Sequence, residues 1–223
     1  MCLSCGAPLD SRSRGLCAPC WSSVVPASGQ LCELCGGPAE GGEASCLVCS
    51  ETPPPQSSTT VWGEYDGTLR RALLALKHGR HDELARPLAD RLALRLTSRP
   101  WLGQVDQVTA VPSHPLRRLR RGWTAAELLA RALARDLELD YHTCLRRHGW
   151  QLQVGRSRAQ RRKLARRTFR AARNVRDCVI LLIDDVMTTG ATLRRATQAL
   201  LAAGAAEVHC AALCAAPDPR RWV

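Results

Sequence analysis

The stretch that most constrains the fold is residues 179–193, which read VILLIDDVMTTGATL. The five apolar residues 179–183 are too few and too rich in β-branched side chains for a helix, which predicts a strand buried on both faces. Two carboxylates, Asp184 and Asp185, follow, and a loop of small residues then leads to an alanine- and leucine-rich helix predicted over residues 193–203. The stretch therefore predicts a strand, a polar loop and a helix in direct succession.

The loop has the composition of an anion site. It consists of Thr188, Thr189, Gly190, Ala191 and Thr192. A loop that enters a helix points backbone N–H groups and the positive end of the helix dipole at one place, where a phosphate can bind without a lysine. The glycine allows close approach of the backbone, and the threonines add hydroxyl donors. Asp184 and Asp185 would repel a phosphate, so we expect them to accept hydrogen bonds from sugar hydroxyls or to hold Mg²⁺ through water and substrate oxygens.

This combination resembles the motif with which phosphoribosyltransferases bind phosphoribosyl pyrophosphate (PRPP). The resemblance covers the whole pattern Asp-Asp-x-x-Thr-Thr-Gly-x-Thr. It implies that Asp184 and Asp185 are the catalytic residues that hold the ribose, and that residues 188–192 hold the 5′-phosphate. The alternative is a core strand followed by an ordinary polar turn, which would not require this spacing of acids and threonines.

Length and composition limit what the rest of the chain can be. Its 223 residues suffice for one α/β domain and a small module, and no apolar run approaches the roughly 18 to 20 residues that span a bilayer. A candidate metal ligand at Cys2 leaves no room for a signal peptide, so we expect a cytoplasmic protein without membrane insertion. Twelve cysteines in such a chain favour metal over disulfides, because cytoplasmic thiols stay reduced.

Eight of the cysteines form four Cys-x-x-Cys pairs at the start of the chain. They are Cys2, Cys5, Cys17, Cys20, Cys32, Cys35, Cys46 and Cys49. Two sulfurs at this spacing reach one tetrahedral ion, and about a dozen intervening residues form a hairpin that joins two pairs. We expect two structural Zn²⁺ sites, and grouping neighbouring pairs, rather than interleaving them, closes the shorter loops. The alternative is eight structural or redox cysteines without metal.

Composition divides the chain into two domains. Residues 1–50 have little apolar content and are predicted to fold around their metals, and the polar, proline-rich residues 51–60 predict a linker. In the second domain, residues 61–223, strands are predicted at residues 61–65, 105–111, 141–145, 179–183 and 207–213, and helices at residues 69–76, 83–96, 124–137 and 193–203. Their alternation predicts an α/β fold with a parallel sheet, whose ligands bind at the carboxyl ends of the strands.

The formal net charge of +12 belongs to the second domain. Residues 144–176 contain eleven arginines and Lys163 but no acid. Within them Arg158, Arg162, Arg166 and Arg170 recur every four residues, which predicts a positive stripe along one side of a helix. The stripe is a candidate site for single-stranded DNA or another nucleic acid, and an ordinary solvated helix face is the alternative.

The order of these features resembles the ComF family, in which an N-terminal double zinc ribbon precedes a type I phosphoribosyltransferase-like domain. The resemblance is carried by the cysteine pairs, Tyr65, Leu76-Lys77, the segments 111–122 and 153–169, and the PRPP motif. It implies that Mg²⁺ accompanies PRPP and that pyrophosphate is held by a set of cations. They are Lys77, Arg117, Arg118, Arg120 and Arg121. For residues 117–121 a solvated arginine run is the alternative.

The chain departs from the family pattern where an acceptor would be recognised. At residues 121–125 the family usually reads Arg-Gly-Phe-Asn-Gln, whereas this chain has Thr124 and Ala125 in place of the asparagine and the glutamine. Trp150 and Leu164 stand where threonine and asparagine are usual. The resemblance therefore does not identify the acceptor.

Two classes of function follow. The first is a phosphoribosyltransferase that transfers the 5-phosphoribosyl group of PRPP to an unidentified acceptor, in DNA uptake, to which family members are linked, or in nucleotide metabolism. The second is a catalytically weak PRPP-fold protein that binds single-stranded nucleic acid as a competence accessory or regulator, with protein partners at its zinc module. In either class Trp123 and Trp150, beside the arginine-rich loops, could stack on a base.

Overall fold

A parallel sheet organises the structure, a computed structural model that describes residues 1–10, 13–39, 43–79, 81–113, 122–147 and 168–216. The strands are β1 Ser58–Glu64, β2 Gln107–Ala110, β3 Asp140–Tyr141, β4 Leu145–Arg147, β5 Phe169–Ala171, β6 Val179–Met187 and β7 Glu207–Ala215. Five of them form one sheet in the order β1-β7-β6-β2-β3, in which every pairing is parallel. Strands β4 and β5 form a separate antiparallel pair.

Helices cover both faces of the sheet. Those in the described part of the chain are α1 Ala18–Ser22, α2 Leu47–Glu51, α3 Gly67–His78, α4 Ala85–Leu96, α5 Ala125–Asp136 and α6 Ala191–Leu201, with 3₁₀ turns at Asp82–Leu84 and Leu102–Gln104. Leu181 and Ile183 of β6 pack with α3, α4 and α5, whereas Ile180 and Leu182 pack on the other side with α6, β4 and β5. This alternation explains why β6 is apolar at every position from 179 to 183, and it confirms the predicted α/β fold.

Three strands depart most from their predicted limits. Strand β6 continues through the two acids to Met187, because its pairing with β7 extends to Ala215. Strand β1 begins at Ser58, inside the stretch predicted as a linker, because it pairs there with His209 of β7. The strand predicted at residues 141–145 is divided into β3 and β4. Between them, the backbone N–H of Cys144 donates to the Thr109 hydroxyl at 3.1 Å instead of continuing a ladder.

The prediction that Arg170 lies on an arginine-striped helix is wrong. Arg170 is in β5, where it pairs with Arg146 of β4, and the adjacent Phe169 is buried in the core beneath. Burial of Phe169 against β4 and α6 favours a strand here, which a four-residue repeat of arginines does not reveal. The other three residues of the stripe, Arg158, Arg162 and Arg166, lie outside the described residues.

The cysteine-rich N-terminal residues pack directly on the α/β domain. Leu16 is fully buried in the same cluster as Leu84 and Leu88, and a Cβ on Gly15 would collide with the Leu84 side chain. The hydroxyl oxygens of Ser4 and Ser23 lie 3.2 and 3.0 Å from that of Thr68 at the start of α3. The N-terminal module is therefore part of the packing that holds α3.

The same residues cover the open edge of the sheet at β1. The Thr59 N–H donates to the Glu33 carbonyl at 2.7 Å, and the Ala27 N–H donates to the Trp62 carbonyl at 2.8 Å. Arg95 of α4 joins the two parts, since it donates to the carbonyls of Ala27 and Val61 at 2.7 and 3.0 Å. These bonds satisfy groups that an uncovered edge strand would expose. Among the described residues, no helix combines the length and apolar character needed to cross a membrane.

Candidate functional site

A cleft of about 760 Å³ lies where β2 and β6 end. Parallel strands bring their carboxyl ends to one edge, so residues far apart in sequence meet there. The described lining comes from the end of α3, the turn at Asp82, residues 111–113 after β2, the start of α5, Arg147 of β4, the acids of β6, and Thr192 of α6. Residues from most of the polar loops predicted from the sequence therefore line this one cleft.

Three ionisable side chains, Lys77, Asp184 and Asp185, line this cleft side by side. The Lys77 ammonium lies 2.8 Å from Oδ1 of Asp185, and the two side chains are 26% and 16% exposed. Oδ1 of Asp184 accepts a hydrogen bond from the Asp185 N–H at 2.9 Å. The ion pair therefore joins the end of α3 to β6, while the Asp184 carboxyl is held by the backbone.

The surroundings of Asp184 favour its protonated form. Burial, and next the nearby Asp185 carboxylate, raises the pKa of Asp184 to about 8, although the Asp185 N–H and Lys77 act in the opposite direction. Asp184 of the ligand-free protein therefore keeps its proton to a higher pH than an ordinary aspartate does. A cation or a set of sugar hydroxyls would favour the ionised form.

The threonine loop joins β6 to the start of α6. Gly190, the residue before α6, has φ of 69°, a left-handed conformation that suits glycine. Thr188 and Thr189 are exposed, and the Thr189 hydroxyl accepts from the Ala191 N–H at 3.4 Å. The first N–H groups of an α-helix have no partner within the helix, so this end of α6 offers donors and a positive dipole to an anion.

Most of the predicted polar residues that the structure describes meet in or beside the cleft. Lys77, Asp184, Asp185 and Thr192 line it. The residues outside the described part of the chain are Arg117, Arg118, Arg120, Arg121, Trp150 and Leu164. Their assignments stay predictions.

Two charged residues of the cleft, Asp82 and Arg147, were not singled out from the sequence. Asp82 follows α3 in a short 3₁₀ turn that no motif marks. Arg147 belongs to the arginine-rich segment, which was the only signal for it. The pairing of β4 with β5, which determines the path of the chain at Arg147, is a tertiary contact that local pattern does not encode.

One aromatic side chain, Trp123, is among the described residues that line the cleft. Trp123 is 44% exposed, and the guanidinium carbon of Arg131 lies 4.0 Å from its ring centroid and 4.4 Å from that of Tyr141. The next residue, Thr124, begins α5 with a capping box: its hydroxyl accepts from the Glu127 N–H at 3.2 Å, and its own N–H donates to the Glu127 carboxylate at 2.9 Å. Thr124 therefore has a clear structural role in place of the usual amide.

The eight N-terminal cysteines form two groups of four. One contains Cys2, Cys5, Cys17 and Cys20, and the other contains Cys32, Cys35, Cys46 and Cys49; within each, the sulfurs lie within 4.8 Å of one another. The predicted grouping of neighbouring pairs is thereby confirmed. Sulfurs on a tetrahedral zinc ion with bonds of about 2.3 Å are roughly 3.8 Å apart. The Cys5–Cys17 and Cys35–Cys46 sulfur separations are 3.6 and 3.8 Å, so both groups fit zinc.

Within the first group, the backbone around Cys2 favours a thiolate. Burial alone would raise the pKa of Cys2. Hydrogen bonds from the N–H groups of Cys5, Cys17 and Ser4 outweigh this effect and lower the pKa to about 5. The Cys17 N–H lies 3.4 Å from the Cys2 sulfur. A thiolate surrounded by N–H donors is the form that binds zinc. All four positions on each ion would be filled by cysteine, so these are structural sites rather than catalytic ones.

Fold and sites together define a phosphoribosyltransferase-fold protein with an N-terminal double zinc ribbon. Residues 119–221 match the family model of the phosphoribosyl transferase domain, and residues 1–51 match that of the double zinc ribbon domain. The chain belongs to the ComF family.

Curated relatives match over nearly the whole chain. DNA utilization protein YhgH of Escherichia coli O157:H7 is 32% identical over 219 residues, which cover 96% of each chain. Competence protein F of Haemophilus influenzae is 26% identical over 217 residues, which cover 93% of each. Among solved structures, glutamine PRPP amidotransferase from B. subtilis is 22% identical with a TM-score of 0.44, over 58% of this chain and 26% of that one.

The zinc sites lead to a first prediction. Purified, reduced protein should contain two zinc ions per chain, and Cys17→Ser should lose about one, because each group of four sulfurs holds one ion. Metal analysis by mass spectrometry measures this, with Cys178→Ser as the matched control outside both groups. Zinc near zero or one per chain in the wild type would contradict the assignment.

The protonation of Asp184 leads to a second. A carboxyl whose pKa is higher in the folded state makes the fold less stable as pH rises from its unfolded to its folded pKa, here from 3.8 to about 8. Asp184→Asn removes this loss. The unfolding free energy of the variant minus that of the wild type should therefore increase by about 1 to 2 kcal/mol between about pH 6 and about pH 8.

Urea unfolding at constant zinc concentration measures this difference. Asp140→Asn, at an exposed position in β3 away from the cleft, is the matched control and should show no such growth. A gain for Asp184→Asn that is the same at both pH values would show that Asp184 is ionised in the free protein.

Proposed function

We propose that this protein binds PRPP in the cleft at the end of β6 and transfers its 5-phosphoribosyl group to an acceptor, releasing pyrophosphate. The proposal is supported chiefly by one arrangement: two carboxylates, a lysine and a threonine loop at a helix start all meet at one edge of a parallel sheet. Each of these groups suits a different part of PRPP. The family gives the same expectation, since the chain carries the phosphoribosyl transferase domain.

The parts of PRPP are assigned by charge and donor type. The 5′-phosphate is assigned to residues 188–192, where backbone N–H groups and hydroxyls converge. The ribose hydroxyls are assigned to Asp184 and Asp185, which are acceptors. Pyrophosphate is assigned to Lys77, together with the predicted Arg117, Arg118, Arg120 and Arg121.

The reaction needs positioning and charge stabilisation more than a covalent nucleophile. The bond from the ribose C1 carbon to pyrophosphate breaks as the acceptor approaches, and positive charge develops on the sugar. Asp184 and Asp185 would hold the ribose and stabilise that charge, while Lys77 would stabilise the departing pyrophosphate. Mg²⁺ bound with PRPP would supply further neutralisation, and the two carboxylates are the oxygen donors that this ion prefers.

The Lys77–Asp185 pair suggests how the site is prepared. Without ligand the lysine is paired at 2.8 Å, so its charge is compensated within a half-buried cleft. An incoming pyrophosphate would offer Lys77 a second anion and would leave Asp185 free to accept from a ribose hydroxyl.

The eight zinc thiolates require reduced cysteines, which fits the cytoplasmic location expected from the sequence.

This function predicts a loss of PRPP affinity when the acids are neutralised. Changing Asp184 and Asp185 together to Asn should weaken Mg²⁺-dependent PRPP binding by about 1 to 3 kcal/mol, the usual contribution of charge-assisted hydrogen bonds. Calorimetric titration measures the affinity, and Asp140→Asn is again the matched control. Unchanged affinity in the folded double variant would exclude these acids from the site.

A second candidate function is binding of single-stranded DNA, with or without catalysis. Two relatives are named for DNA utilization and competence. In this chain Arg146 and Arg170 face each other across β4 and β5, and both are exposed. Like charges directly opposite each other destabilise a strand pair, so this position favours an anionic partner such as a phosphate backbone.

The salt dependence of DNA binding tests this second function. Each phosphate contact on a single strand contributes a slope of about −0.7 to the fall of log affinity with log salt. Changing both Arg146 and Arg170 to Gln should therefore make the slope shallower by about 1.4 between about 50 and 200 mM salt. Fluorescence anisotropy with an oligonucleotide measures it, and Arg86→Gln on α4 is the control. Equal slopes for the double variant and the wild type would exclude the pair as a DNA contact.

Pyrophosphate release separates the two functions. Release from PRPP without DNA indicates a small-molecule acceptor or hydrolysis, and release only with DNA indicates that DNA takes part in the reaction. No release under either condition, with PRPP still bound, would favour the binding protein.

A further inference from the structure

We propose that Trp123 is a stacking platform for a planar heteroaromatic ring, and thus that the acceptor in the cleft is a nucleobase or a similar ring. This inference rests on the proposed function, because it concerns the acceptor of the same reaction. It is carried by the exposure of the ring, by the contacts that hold it, and by the lining around it.

The exposure of Trp123 is unusual for the described part of the chain. Among the large hydrophobic side chains that are strongly exposed there, Trp123 is the only aromatic one. It lines the same cleft as Lys77, Asp184 and Asp185. An indole left 44% exposed loses much of the stabilisation that its burial would give, and a ligand that covers it recovers that stabilisation.

The ring is held in place before any ligand arrives. The guanidinium of Arg131 lies over the rings of both Trp123 and Tyr141, with its central carbon 4.0 and 4.4 Å from their centroids. The backbone next to the ring is fixed by the capping box of Thr124 with Glu127, whose side chain is buried. Arg131 thus covers one face of the indole. A fixed aromatic surface loses little entropy when a second ring stacks on it.

The surroundings suit a flat, largely apolar group attached to a charged sugar phosphate. Val111 and Pro112 follow β2, and Ala125 and Ala126 begin α5; all four line the cleft beside Trp123. The charged lining from β6 and α3 lies in the same cleft. A cleft with an apolar aromatic part and a part that suits a phosphoribosyl group matches a base joined to ribose 5-phosphate, which is the product of transfer to a nucleobase.

Mononucleotides compared with ribose 5-phosphate test the platform. Calorimetry should measure the affinities of AMP, UMP and nicotinamide mononucleotide and that of ribose 5-phosphate, which lacks the ring. Stacking on an aromatic side chain typically contributes enough to tighten binding by about 5- to 100-fold. At least one nucleotide should therefore bind the wild type more tightly than ribose 5-phosphate by this factor. Trp123→Ala should reduce the ratio towards one, and Trp123→Phe should retain most of it.

Trp21 provides a matched control. The guanidinium carbon of Arg91 lies over its ring at 5.8 Å, a looser contact of the same kind, and Trp21 is not among the described residues that line the cleft. Trp21→Ala should therefore keep the wild-type ratio. The inference is overturned if none of the three nucleotides binds the wild type more tightly than ribose 5-phosphate, or if Trp123→Ala keeps the ratio. It is also overturned if Trp123→Ala weakens only the binding of a single-stranded oligonucleotide.

These outcomes are distinct from failure of the proposed function. Wild-type protein that binds PRPP but shows no preference for a ring contradicts the platform alone. Wild-type protein that binds neither PRPP nor ribose 5-phosphate contradicts the proposed function and the platform with it.

Discussion

The pairing of β6 between β7 and β2 determines where the polar groups of the cleft lie. Residues 180–183 alternate between two cores, and the ladder with β7 continues past Asp184 to Met187. A shift of one residue would exchange the side chains between the two faces, which burial on both sides opposes. The acids and the threonine loop are therefore held at the sheet edge by apolar packing further back in the strand. Any chemistry at this edge depends on that packing.

Helix α3 connects the zinc module to the cleft. Its first turn is held by Thr68, which meets Ser4 and Ser23 of the N-terminal residues, and its last turn carries Lys77, which is paired with Asp185. The zinc module also covers the edge of β1 through backbone bonds. Two closed groups of four sulfurs leave no position for a substrate, so the metal sites are structural. It completes the sheet and supports the helix that presents the lysine.

Strong, local patterns in the sequence were sufficient for much of this picture. Cysteine spacing predicted both groups of sulfurs, and the run at residues 179–183 predicted the central strand, because each depends on neighbouring residues alone. Arg170 and Arg147 could not be assigned, because their strands form only through the pairing of β4 with β5. The extension of β6 through Asp184 was missed for a related reason: carboxylates disfavour strands locally, but the ladder with β7 and the ion pair of Lys77 with Asp185 outweigh that preference.

The most direct test of the central claim is a crystal structure of the protein with PRPP and Mg²⁺. Our account predicts ribose hydroxyls within hydrogen-bond distance of Asp184 and Asp185. It also predicts the 5′-phosphate at the backbone N–H groups of residues 188–191 and the C1 carbon open to the side of the cleft that contains Trp123. PRPP bound elsewhere, for example on the arginines of β4 and β5, or bound with its 5′-phosphate away from the start of α6, would contradict the account.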